Sequence, residues 1–213
     1  MAHVSQCERT FHSSSNHLFS KSPDQFKDGK GFLSKIFSSK KRSQSMLLRC
    51  GYDLYSNISQ NTDILLFFKV LSLQDTLFSW FLVMELQVWL VSVRLMAEGE
   101  DGKTARNALI SALWDDTNAK IKDLGVRSTS KRADLEDMNS HLQTSLVSYD
   151  EGLLGSDRDL AGAVWRRLAD PRCLESLVSY IRQQVQLLDA LDTDALLTAK
   201  LTWTQPSLPE TFT

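Results

Sequence analysis

The stretch from Leu77 to Ala97 does most to limit what this chain can become. It holds 21 residues dominated by Leu, Val, Phe and Trp, interrupted only by polar residues such as Glu85, Gln87 and Arg94. Its length is enough to cross a bilayer. An acidic residue near the middle of a span costs roughly 2.5 kcal/mol even on the lenient insertion scale. A buried core helix is therefore the better reading, with a single-pass anchor over 77–97 as the alternative. Buried among Phe81, Met84, Val88 and Trp89, the Glu85 carboxylate needs a partner, because an unpaired charge is costly in an apolar setting. Arg94 lies nine residues on, too far for a simple in-helix pair, so Arg106, Arg166 or Arg182 from a neighbouring helix are the candidates.

Apolar density rises from about Asp63, and helical periodicity then continues down the chain. Residues 103–124 place Ala105, Leu109, Ala112, Leu113 and Ile121 at helical spacing, with Gly125 suited to end the helix. Residues 131–149 repeat Leu135, Met138, Leu142, Leu146 and Tyr149 at intervals of three and four, one buried stripe, and Gly152 reads as the stop. Ser156 stands three before Asp159, a capping-box variant, and opens a helix through Leu160, Val164 and Leu168. Pro171 suits the first turn of a last helix with Asp170 as its N-cap; that helix carries Leu177, Ile181, Val185 and Leu188. No strand-period run or hairpin dipeptide separates these segments. The expectation is an all-α fold, a single bundle of about five to seven helices between roughly 60 and 195, whose short loops make antiparallel neighbours. Pro206 lies at the start of a tail, 206–213, that cannot continue a helix.

Charge divides the chain. Residues 1–49 hold nine Lys/Arg against three Asp/Glu, and residues 50–213 hold 15 against 23, giving +6 and −8 within the net −2. The basic head has eleven serines in its first 45 residues, a composition that fits either a mitochondrial targeting segment or a plain disordered extension. The acidic body argues against a broad nucleic-acid face, which needs clustered cations, and no direct DNA binding is expected. Cys7, Cys50 and Cys173 form no Cys-x-x-Cys pair and read as free thiols in a reducing compartment. His3, His12 and His17 lie in the head, and His141 stands alone, so its role is structural or superficial and no metal or cofactor is expected.

Phosphate-loop, dinucleotide, nucleophile-elbow and His-Glu-x-x-His motifs are all missing. Gly99-Glu100-Asp101-Gly102-Lys103 lacks phosphate-loop spacing and reads as an acidic loop between helices. The strongest enzyme rival is an all-α magnesium enzyme using Asp115 and Asp116. Such a site needs several converging oxygen ligands, and one turn on the chain offers only Asn118, Ala119 and Lys120. Asp150-Glu151 is a second acidic pair; adjacent helical residues do not share a face, and acids at a helix C-terminus oppose the macrodipole. That tension points to a binding or pairing role.

Ten short pieces, taken together in order and spacing, carry a resemblance. They are Leu73-x-Asp75-Thr76, Ser79-Trp80-Phe81, Glu85-Leu86-x-Val88-Trp89, Val93-Arg94, Glu98-Gly99 with Gly102-Lys103, Trp114-x-Asp116, Tyr149-Asp150-Glu151-Gly152, Leu160-Ala161-x-Ala163-x-Trp165-Arg166, Tyr180-x-Arg182 and Leu188-Asp189. Over residues 50 to about 205 the chain resembles the ubiquinol-cytochrome c chaperone family, with Gln87 where the family pattern usually has His. The resemblance implies a non-enzymatic assembly chaperone at the matrix side of the mitochondrial inner membrane, peripherally attached. It implies a heterodimer with a small second assembly factor, receipt of newly made cytochrome b near the mitochondrial ribosome, and delivery towards respiratory complex III. Aromatic and Arg side chains are the usual anchors of interfaces. The expected partner-binding surface therefore gathers Glu85, Trp89 and Arg94 from the central helix, Asp150 and Glu151 from the next corner, and Trp165 and Arg166 from the helix that follows. The competing expectation places both tryptophans in the core.

Overall fold

A computed structural model of the chain describes residues 42–125, 128–168 and 173–207. Most of the basic head, the 208–213 tail end, and the Asp170 and Pro171 expected to open the last helix lie outside the described residues. Among the described residues there are eight α-helices and no strand, the all-α class expected.

Helix α1, Gln44–Asn61, begins ahead of the boundary drawn at residue 50. Ser43 caps it, its hydroxyl accepting from the Met46 amide, and Leu47, Cys50, Leu54 and Ile58 fall on one buried face. Apolar density alone put the start of the domain near Asp63, because serines and a mid-helix glycine dilute this stripe. Gly51 is required there: a Cβ at this position would sit 2.5 Å from the Ala105 carbonyl oxygen. Its absence lets α1 lie against α4, Gly99–Asp123, backbone to backbone. Helix α2, Ile64–Leu71, is capped by Asp63 and ends where Ser72 turns left-handed.

Helix α3, Leu77–Met96, opens on a Thr76 cap and is the centre of the bundle. Among the described residues it alone is long and apolar enough to cross a membrane, yet 72% of its most apolar window is covered by the rest of the protein. Its apolar surface is spent on helix packing, at ~25 cal/mol per Å² removed from water. Gly102, in the first turn of α4, permits the tight exit from α3, since a Cβ there would collide with the Leu95 carbonyl.

Helix α5 runs Ser128–Leu154, past the glycine expected to stop it. Gly152 instead marks a crossing: a Cβ would lie 2.9 Å from that of Ala163 on α6, Asp157–Trp165. The Ser156 and Asp159 capping box opens α6 as expected, the two residues exchanging side-chain and backbone bonds. Helix α7, Leu174–Asp189, and the short α8, Thr193–Leu197, complete the eight. The chain then folds back over the body. Gln184 bonds Thr202 and Thr204, and the Trp203 indole donates to Asn57 Oδ1 at 2.7 Å.

Candidate functional site

Glu85 and Trp89 sit inside the bundle, 0% and 1% exposed, and so are not surface anchors. The partner of Glu85 is not an arginine. Its Oε2 meets His141 Nδ1 at 3.1 Å, because α5 turns the His141 and Ser145 face of its stripe towards α3. A carboxylate that close orients the ring with Nδ1–H towards it. The His141 ring is 17% exposed and takes the Phe78 ring edge-on at 5.4 Å, so one histidine links a buried charge to the surface. Glu85 Oε1 has no hydrogen-bond partner. Burial, and then the nearby Glu85 charge, hold the Tyr149 phenol well above its ordinary range. His141 was legible as the residue three after Met138 on the buried stripe, but a single histidine without a spaced ligand set gave no reason to pair it with Glu85.

The corner after Tyr149 is where core and surface meet. Trp89 packs tilted against the Tyr149 ring, centroids 5.1 Å apart at 55°, and donates its indole N–H to Asp150 Oδ1 at 2.8 Å. Asp150 is exposed, so one carboxylate oxygen satisfies a buried donor while the rest of the group faces solvent. Glu151 is exposed beside it, pointing off another side of the helix. Trp165 is 55% exposed, and Arg166 follows it in solvent. The two tryptophans thus have opposite fates: Trp89 is core and Trp165 is surface.

Arg94 does different work. Its Nε and Nη2 donate to the carbonyls of Leu188 and Leu191 at the end of α7, and Nη1 meets Glu98 at 2.6 Å. Glu98 accepts in turn from Thr193. A guanidinium thereby ties the end of α7 to α3, adding a charged donor to carbonyls at a helix C-terminus, one of which, that of Leu188, also accepts from the Leu191 amide. Of the seven expected site residues, Asp150, Glu151, Trp165 and Arg166 are exposed, while Glu85 and Trp89 are buried and Arg94 is largely covered, tying helices together.

The enzyme rival fares poorly on geometry. Tyr52 donates to Asp115 at 2.7 Å and Tyr55 to Asp116 at 2.8 Å. Burial and then the Asp116 bond push the Tyr55 phenol upward. Lys120 lies 3.6 Å from Asp116 and 4.8 Å over the Trp80 ring. Both carboxylates are occupied as clamps between α1 and α4. Among the described residues no group of three or more His, Cys, Asp or Glu side chains is placed to hold a metal.

Comparison with known proteins agrees with this architecture. A crystal structure of a Cbp3 homolog from Brucella abortus has the same fold, with a TM-score of 0.57 over 81% of this chain and 97% of that one, at 14% identity. The ubiquinol-cytochrome c reductase complex assembly factor 1 of Drosophila melanogaster is 40% identical over 161 residues, 70% of this chain and 62% of that protein. The Xenopus laevis protein of that name is 40% identical over 156 residues, 70% of this chain and 78% of its own length. The chain thus spans a little under two thirds of the Drosophila relative. The family described as ubiquinol-cytochrome C chaperone matches residues 69–203, from the end of α2 through the refolded tail, taking in the Glu85, Trp89 and Asp150 network and the Arg94 tie. With more than half of its length inside that match, the chain belongs to the ubiquinol-cytochrome C chaperone family.

Proposed function

We infer that the protein is a non-enzymatic assembly factor for mitochondrial respiratory complex III, acting by holding other proteins. The observation that carries this reading is the shared helical domain, common to relatives named for assembly of that complex. Its client is newly made cytochrome b, received close to the mitochondrial ribosome at the matrix side of the inner membrane. A small second assembly factor completes a heterodimer. Free cytochrome b segments expose large apolar surfaces that aggregate in water, and a chaperone for them needs binding rather than catalysis. Exposed charges at Asp150 and Glu151, the corner after Tyr149, and the exposed Trp165 with Arg166 support the reading as candidate anchors.

Affinity purification of the full chain from mitochondria tests the assignment: the expected result is co-purification of cytochrome b and of one small partner, and recovery of neither overturns it. The corner is tested by Asp150→Lys with Glu151→Lys. Both positions are exposed, so folding should survive with about 1–3 kcal/mol lost as the buried Trp89 N–H loses its acceptor, while partner capture falls at least tenfold. Wild-type capture of both partners by the folded double variant would remove this corner from the interface.

A further inference from the structure

After α8 the chain turns back along the body, and two side-chain amides hold it there. Gln184 of α7 is 0% exposed. Its Nε2 donates to the Thr202 carbonyl at 2.8 Å, and its Oε1 accepts from the Thr204 amide at 2.9 Å. One carboxamide thus bonds the carbonyl before Trp203 and the N–H after it, the pair that a residue of a parallel strand would take. Asn57 of α1 meets the side chain between them. Its Oδ1 accepts from the Trp203 indole at 2.7 Å, and its Nδ2 donates to the Ala199 carbonyl at 3.0 Å. Leu201 and Trp203 pack on the core and Pro206 is buried, whereas Thr202 and Gln205 are exposed. Residues 200–206 therefore lie on the helices as a peptide lies on its receptor, with alternate side chains inward.

The hinge of this segment is strained. The amides of Lys200 and Ala199 donate to the carbonyls of Ala195 and Leu196, the pattern that ends a helix on a left-handed residue. Ala199 is that residue, at φ 55°. Glycine is usual there, because in this conformation a Cβ crowds the following carbonyl. Release of the segment relieves the strain. The notch beneath it resists being left open, since a buried Gln184 amide without partners costs stability and the core under Leu201 and Trp203 would meet water. Departure is therefore favoured when a segment of the same shape takes the place.

We propose that the α1–α7 notch is a docking site for an extended, tryptophan-bearing segment of a partner protein, and that residues 199–206 are a resident occupant exchanged for it. The occupant itself defines the chemistry of the guest: an indole whose N–H reaches Asn57, an aliphatic side chain two residues before it, and a free carbonyl and amide on either side for Gln184. Its tether gives the resident segment an effective concentration of about millimolar. A partner already held elsewhere on the molecule presents its own segment on similar terms, whereas a free peptide competes poorly. A second copy, with a body charge of −8 over residues 50–213, brings like charge to like and is the poorer source. The notch shares no residue with the Asp150, Glu151, Trp165 and Arg166 surfaces, so the proposal goes beyond that reading and does not depend on it.

The test uses the purified full chain and three fluorescein-labelled peptides. One copies residues 199–207, one has phenylalanine in place of the tryptophan, and one is scrambled. By fluorescence anisotropy the Trp203→Ala chain should bind the first probe at least tenfold tighter than the wild type does, and should bind the other two at least tenfold more weakly than the first. Thr204→Pro, which deletes the amide donated to Gln184, is the second releasing variant, with circular dichroism checking each fold. Gln184→Met added to a releasing variant keeps the side-chain length, removes both bonds and should abolish binding. In the wild-type chain, which needs no variant to fold, excess unlabelled peptide should speed hydrogen exchange of the Thr204 amide while the scrambled peptide does not. Equal binding of the three probes, no gain from a folded releasing variant, or binding that survives Gln184→Met overturns the proposal. So does a Thr204 amide unmoved by the peptide, or a wild-type dimer that Trp203→Ala splits in sedimentation. Capture of cytochrome b from mitochondria tests the assembly reading separately, since none of these peptides enters it.

Discussion

Tyr52 and Tyr55 on α1 each find a carboxylate on α4, whereas across the bundle Glu85 Oε1, Gln87 Nε2 and Arg167 Nε are buried with no hydrogen-bond partner. The first region packs through Gly51 against the α4 backbone. The second leaves Val147, Leu154 and Trp165 in solvent at 60%, 90% and 55% exposure, and the first likewise exposes Met46, Leu48 and Leu124 at 43%, 45% and 64%. Buried polar groups without partners cost stability, and exposed apolar ones gain none. The contrast is one of polar satisfaction: the α1–α4 contact bonds both of its tyrosine hydroxyls, while α3 and the turn after α6 keep buried polar atoms without partners.

Four substitutions break or sharpen that contrast. Gly51→Leu strikes the tight region, where the new side chain meets backbone rather than a movable side chain; a loss of about 3 kcal/mol in urea unfolding is expected. A loss under about 1 kcal/mol would show the α1–α4 contact to be loose. His141→Ala leaves Glu85 inside the bundle without its partner. Solvent at the histidine edge moderates the cost of a broken buried pair to about 2 kcal/mol by the same measurement, and a neutral result would remove the Glu85 pair from the account. Trp89→Phe keeps the ring and deletes one hydrogen bond to Asp150, for about 1 kcal/mol. Leu154→Ser lies within about 0.5 kcal/mol of wild type because the side chain is already in water. A larger change there would mean that Leu154 is structural.

The tight region was the less legible of the two. The stripe Leu47, Cys50, Leu54 and Ile58 has helical spacing, but it is set among serines, and the boundary at residue 50 cut through it, leaving Leu47 in the basic extension. What makes it a helix of the body is the fit of Gly51 to α4, a tertiary fact that periodicity does not carry. Caps depend on a few adjacent residues, and Ser156 with Asp159 was read correctly for that reason. Gly152 shows the limit of the same approach, since a glycine that admits a crossing helix looks in sequence like one that ends its own. Among the candidate site residues, the need of Glu85 for a partner followed from burial, while the partner itself depended on which way α5 was turned. Trp89 and Trp165 both stand in apolar-rich helices; only the packing of α3 at the centre, and of α6 at the rim, separates core from surface.

The bond between Trp89 and Asp150 gives the molecule a built-in optical reporter. An indole shielded from water emits at short wavelength, and its emission responds to charge at its ring nitrogen. Here that nitrogen bonds a carboxylate that faces outward. A cation arriving at Asp150 would change the electric field along the indole without touching it. With the other four tryptophans replaced by phenylalanine, the emission of Trp89 would register occupancy of the corner in real time, with no label attached.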